Sequence, residues 1–139
     1  SPIFVRDILR KTNPAHPKIC LPIVDARDVA FAHLAAYRRP DATGRHIVAS
    51  ENRWIREIAE TLTAEYPDRG LRTSELPNVV VKLAATFSKH LDRHLIADTL
   101  GRRPQYDGSH APSALGFTYR DVDETLLETA RSMVSLGLV

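Results

Sequence analysis

The chain has 139 residues, enough for one domain that buries a real core. Its 43% apolar and 26% charged residues are those of an ordinary soluble globular fold, and no apolar run approaches the roughly 18 residues a membrane helix needs. A net charge of +2, with Arg and Lys spread along the chain and only 6% aromatics, argues against a nucleic-acid partner, which needs cations gathered on one face between stacking rings.

Apolar residues at 4, 5, 8 and 9 predict a short helix over 3–9, ended by Asn13-Pro14. Residues 17–22 read as irregular, and Ile23-Val24 as a brief strand-like entry into Asp25-Ala26-Arg27-Asp28. Val29, Ala32, His33 and Ala36 then fit a helix from Asp28 to about Tyr37, with Asp28 as the expected N-cap. After a turn over 40–44, His46-Ile47-Val48-Ala49 is the strongest strand signal in the chain. A second helix, about 53–66, carries the stripe Ile55, Ile58, Ala59 and Leu62, with Trp54 as a partly buried anchor; Pro67 and Gly70 stop it. Residues 71–76 suggest a short strand. Pro77-Asn78 opens a longer helical stretch reaching Gly101, with Val80, Leu83, Ala84, Phe87 and Leu91 on one side. Residues 102–117 read as loop, with Asp107-Gly108-Ser109 as a turn. The final helix opens at Asp121, with Glu124 three residues later, presents Leu126, Leu127, Ala130, Met133 and Val134, and stops at Gly137. Two or three short strands are too few for a self-sufficient sheet, so they are expected to extend a sheet whose remainder lies elsewhere.

The single cysteine, Cys20, excludes a disulfide or a Cys-only metal site within these residues and reads as a small apolar residue in a reducing cytoplasm. The start, Ser1-Pro2-Ile3, lacks both an initiator Met and the layout of a signal peptide, which suits a trimmed or cloned fragment. Of the six histidines only His90 and His94 have ligand spacing, and a solvated helix face accounts for them better than a metal does, so no metal is expected.

The order of several segments carries a resemblance. Ile23-Val24-Asp25-Ala26-Arg27-Asp28-Val29-Ala30, followed by Ala32-His33, resembles the V-D-x-R-D-V-A-x-A-H segment of the extended short-chain dehydrogenases/reductases, the NAD-dependent epimerase/dehydratase family. Gly44-Arg45-His46-Ile47-Val48-Ala49-Ser50 resembles that family's next strand, and Trp54-Ile55-Arg56-Glu57-Ile58-Ala59 the helix after it, ending at Tyr66-Pro67. Tyr106-Asp107-Gly108-Ser109-His110 with Leu115-Gly116-Phe117 is similar to the D-x-S-K-A-x-x-x-L-G-(F/W) segment, His110 standing where the family has Lys. The tail from Asp121 to Val139 resembles the closing helix. The whole chain is covered, and the dihydroflavonol reductase and aldehyde reductase branch is the most similar.

This resemblance implies an α+β, mostly helical fold: the C-terminal, substrate-binding domain of a family with a Rossmann-like nucleotide-binding half, spanning 1–139 as a single unit with few short strands. It implies that the dinucleotide-binding domain belongs N-terminal to this segment. The parent enzyme would use NAD or NADP to reduce a small or aromatic carbonyl substrate. The motifs for the chemistry are not in these residues. The six glycines are never three apart, as G-x-x-G-x-x-G requires, and no Tyr here has Lys four residues on. The chain alone is therefore expected to hold no cofactor, to contain no catalytic residue and to be inactive. For Arg27 a salt bridge and a cleft-facing contact are both open, and Phe4, Ile8, Tyr106 and Ser109 are the other substrate-cleft candidates. A sugar-nucleotide epimerase or dehydratase fragment is the enzymatic alternative. A non-enzymatic binding or assembly module is the other. An apolar face shaped against an N-terminal domain would favour a homo-oligomer or a chain that needs its other half.

Overall fold

A computed structural model describes residues 2–87, 93–104 and 106–139, and shows helices α1 (Ile3–Leu9), α2 (Ala26–Arg38), α3 (Ile55–Glu65), α4 (Asn78–Phe87), α5 (Arg93–Thr99), α6 (His110–Leu115) and α7 (Val122–Ser135) around a two-stranded antiparallel sheet of β1 (Cys20–Ile23) and β2 (Glu51–Trp54). The α+β, mostly helical class is the one the sequence predicts. Among the described residues no helix is long and apolar enough to cross a membrane.

The core forms where the periodic stripes meet. Ile58, Ala59 and Leu62 of α3 pack on Val122, Leu126 and Ala130 of α7 and on Val5, Ile8 and Leu9 of α1. These contacts are the i, i+3, i+4 positions of each helix, so the stripes read from the sequence are the buried faces. Helix α7 starts on Asp121, whose Oδ1 accepts from the Glu124 N–H at 2.9 Å. It ends with Gly137 at φ +66°, a left-handed turn in which the Gly137 and Leu138 N–H groups reach the Val134 and Met133 carbonyls.

Several expectations are corrected. The N-cap of α2 is Asp25, not Asp28: the Asp25 carboxylate accepts from the Arg27 N–H at 2.7 Å. Asp28 lies one turn in, buried, and its Oδ2 accepts from the Arg120 N–H at 2.8 Å. The 17–22 stretch is not irregular throughout, because Cys20 to Ile23 pair with Trp54 to Glu51. Pro22 is tolerated there because a two-stranded ribbon leaves an edge where no N–H is required.

The segment 46–49 is not a strand. The Ser50 N–H still reaches the Ile23 carbonyl at 2.9 Å, but beyond Ile23 the chain turns at Asp25 into α2 and 46–49 lose their ladder partner. Residues 71–76 contribute only an isolated bridge, His16 with Glu75. The long helix expected over 78–101 is described as α4 and α5, with 88–92, including His90 and Leu91, outside the described residues. Its buried side is also different, since Val81 packs with Ile96 and Leu100 while Val80 and Leu83 are exposed. The 102–117 loop contains α6, where Leu115 packs on Ala32 and Ala35 of α2.

Tyr119 ties 46–50 to the loop before α6. Its Oη accepts from the Ala49 N–H at 3.2 Å and its O–H donates to the Gly108 carbonyl at 3.0 Å. Tyr119→Phe removes both bonds and leaves a half-buried amide and carbonyl unpaired. We expect a loss of about 1–2 kcal/mol in denaturant unfolding, with faster hydrogen exchange at the Ala49 amide.

Candidate functional site

Where α1, the end of β1 and α7 converge they leave an open groove of about 660 Å³. Its apolar walls include Val5, Ile23, Leu126 and Met133, and its polar rim is Asp25, Arg27, Thr125 and Glu128. A smaller cavity of about 80 Å³ shares Val5, Pro22, Ile23 and Leu126 with it and adds Phe4 and Ile58.

The rim is ordered by one buried carboxylate. Asp25, 6% exposed, accepts at Oδ1 from the Arg27 N–H and Nε (2.7 and 2.9 Å) and at Oδ2 from Arg27 Nη2 (2.6 Å). The same Nη2 lies 2.6 Å from Glu128 Oε2 on α7. The Thr125 hydroxyl stands 3.1 Å from Asp25 Oδ2 and 2.8 Å from the Asp121 carbonyl, and its one proton serves one of them at a time. The hydrogen bond from the Arg27 side chain outweighs burial and holds the Asp25 carboxyl well below the usual carboxylate range. Arg27 is raised in turn, first by Asp25 and then by Glu128, so the pair stays ionised. With its lone pairs committed, Asp25 is a fixed orienter of Arg27. The groove can grip and position a small molecule.

The candidates from the sequence do not converge. Arg27 forms salt bridges to Asp25 and Glu128 and lines the groove. Phe4 lines the small cavity beside the groove, and Ile8 is buried in the core behind it. Tyr106 lines a separate polar groove of about 450 Å³ with Ser50, Glu51, Asn52, Arg103 and Asp107. Its carbonyl accepts from Asn52 Nδ2 at 3.3 Å, and the Arg103 Nη2 donates to the Asn52 carbonyl at 3.0 Å. Ser109 caps α6, its N–H donating to Asp107 Oδ1 at 2.9 Å. Cys20 is buried, and burial pushes its thiol up. His94 lies in α5, and its side chain, like His90, falls outside the described residues. Among the described residues no three His, Cys, Asp or Glu side chains are placed to hold a metal.

Asp25, Thr125 and Glu128 were missed as a group. Of the rim residues, the sequence singled out Arg27 alone. The α7 partners stand about a hundred residues away, and no sequence pattern links them.

The helix starts bear on nucleotide binding. A pyrophosphate sits on bare N–H groups at a helix N-terminus, usually over glycines. Here α2 and α7 begin on the carboxylates of Asp25 and Asp121, and at α3 Glu57 Oε2 accepts from the Trp54 N–H at 2.8 Å. These starts are already filled by negative charge and do not fit a phosphate.

No protein-family model matches the chain. It is 27% identical to the NADPH-dependent methylglyoxal reductase GRE2 of Saccharomyces cerevisiae over 113 residues, which are 80% of this chain and 28% of that protein. It is 42% identical to cinnamoyl-CoA reductase 1 of Arabidopsis thaliana over 50 residues, 36% of this chain and 14% of that one. Its fold superposes on yeast methylglyoxal/isovaleraldehyde reductase Gre2 complexed with NADPH at a TM-score of 0.69 and 20% identity, covering 97% of this chain and 40% of that one. The chain thus spans less than a third of the length of the curated relatives it matches.

Proposed function

We propose that this chain, which matches the C-terminal part of an extended short-chain dehydrogenase/reductase, is the substrate-side domain of an NADPH-dependent carbonyl reductase acting on a small carbonyl compound. The observation that carries this is the match to the yeast methylglyoxal reductase over 80% of the chain. Relatives named as reductases favour reduction over the epimerase/dehydratase alternative. NADPH would supply the hydride from a companion cofactor half; the starts of α2, α3 and α7 are already occupied by carboxylates and do not fit its phosphates. The chain's own contribution is to bind and orient. The apolar walls around Val5, Ile23 and Met133 exclude water, and Arg27, fixed by Asp25 and Glu128, offers guanidinium N–H groups to a substrate oxygen.

Two features support docking of that half. Phe31, Leu34 and Tyr37 expose an apolar face of α2, and Ile47 is exposed on segment 46–48, which pairs with no strand among the described residues. A β-branched segment with no ladder partner is an edge onto which another sheet can add. A stretch that reads as a strand in sequence yet has no partner here is what a divided sheet leaves behind.

The test is to fuse the chain to the cofactor-binding half of the yeast methylglyoxal reductase and to follow NADPH oxidation with methylglyoxal. The chain alone should be inactive and the fusion active. Arg27→Ala in the fusion should raise KM roughly tenfold, the equivalent of one lost charged contact. A folded fusion that binds NADPH but reduces no small aldehyde would overturn the assignment.

A further inference from the structure

The rings of His46 and His110 stack at 5.4 Å between centroids with 6° between their planes. Both ring nitrogens of His46 are buried and have no hydrogen-bond partner among the described residues. We propose that this pair is a proton-operated latch that holds segment 46–49 on α6 while it carries at most one proton, and releases the segment when it takes a second.

A neutral imidazole tolerates stacking on another ring and leaves one donor and one acceptor nitrogen unpaired at a modest cost. An imidazolium needs an acceptor for each N–H, and around His46 none is provided. Two imidazoliums face to face would also repel at close range. The surrounding charged groups come from each element packed there. Asp107, on the loop before α6, is held below the usual carboxylate range chiefly by its hydrogen bonds with Ser109, with a smaller attraction from His110. Arg45, next to His46 in sequence, is exposed. Arg39, from the end of α2, donates to the Ala114 carbonyl on α6 at 2.9 Å, adding a second cation to the helix that carries His110. The Tyr119 phenol is neutral through this range, since burial pushes it further up. What opposes a second proton is the stacked ring and the lack of an acceptor for the His46 nitrogens.

What the latch holds follows from connectivity. Three residues after His46, the Ala49 N–H meets the Tyr119 Oη, whose O–H donates to the Gly108 carbonyl two residues before His110. Breaking the stack frees the segment at His46 and loads this remaining tie.

The test is a proton NMR titration of the 139-residue chain through the histidine range, about pH 8 to 5, reading the two imidazoles and the Ala49 amide. Two coupled steps are expected, separated by about one pH unit or more. The Ala49 amide should move with the lower one. In His46→Phe, which keeps a ring in the stack, the Ala49 amide should be independent of pH. In His110→Lys, which takes the ring out of the stack, the segment is no longer held and the amide should keep its low-pH position throughout. A single shared midpoint for both rings, or an Ala49 amide that still titrates in His46→Phe, would overturn the latch. If His110→Lys does not fold, the His46→Phe comparison decides alone.

Discussion

Asp25→Ala should destabilise the chain by about 2–3 kcal/mol at neutral pH, a fall in Tm of roughly 8–10 °C. The loss has separable parts. An N-cap carboxylate contributes about 1 kcal/mol, and charge-assisted bonds about 1.5–3 kcal/mol each set. The upper end is discounted because the Arg27 side chain is 51% exposed and keeps Glu128, so removing Asp25 strands no buried cation. Asp25→Asn retains an oxygen for the cap and should cost about half as much. The pH dependence identifies the carboxylate as the source. Because the folded chain holds this carboxyl below its ordinary value, the folded state binds fewer protons than the unfolded one. The stabilisation is fully present above the unfolded value, about pH 4, and is lost as pH falls through the folded value. Thermal unfolding of wild type and Asp25→Ala should therefore show a gap that is constant above about pH 5 and narrows in acid. An equal gap at pH 3 and pH 7 would assign the effect to packing.

What was legible in the sequence is what short-range chemistry decides. Ile58, Ala59 and Leu62, and Val122, Leu126 and Ala130, announce α3 and α7 because a buried helical face must repeat with the helix period. Asp121 announces the start of α7 because a cap acts within three residues. The choice between Asp25 and Asp28 as cap of α2 was not decidable locally, since both precede a helical pattern. It was settled by Arg120, 92 residues on, whose N–H takes Asp28 away. Likewise, 46–49 have strand composition and 51–54 do not, yet the ladder goes to Glu51–Trp54 because that is where β1 lies alongside. The α4 stripe failed for the same reason. Its residues have helical spacing, but Ile96 and Leu100 select Val81 instead of Leu83 as the face to bury. Of the rim of the candidate site only Arg27 was legible, because a groove between α1, β1 and α7 is a product of their packing.

Gly108→Ala should cost about 3 kcal/mol or more and detach 46–50 from the body of the domain. A Cβ at Gly108 would overlap the Ala49 carbonyl oxygen and lie 3.0 Å from the Ala49 N and C atoms. All three are backbone atoms, so no rotamer change relieves the overlap and one strand of chain must move. Overpacking a core costs about 1–3 kcal/mol when side chains can shift, and a fixed backbone puts this case at or above the top of that range. The displacement also removes partners already in place. The Gly108 carbonyl is the acceptor for the Tyr119 O–H, and the Ala49 N–H depends on the same phenol, so both bonds are lost together. Gly108 is thus required for close approach, a different demand from the left-handed turn that Gly137 makes. Denaturant unfolding should show the stability loss, and hydrogen exchange should show it concentrated at Ala49 and Ser50 while the α3–α7 core stays protected. Combining it with Tyr119→Phe separates the two contributions. If the phenol bonds are already broken by the alanine, the double variant is barely less stable than Gly108→Ala alone. Full additivity would mean that the loop before α6 yields elsewhere and that Tyr119 still holds the segment.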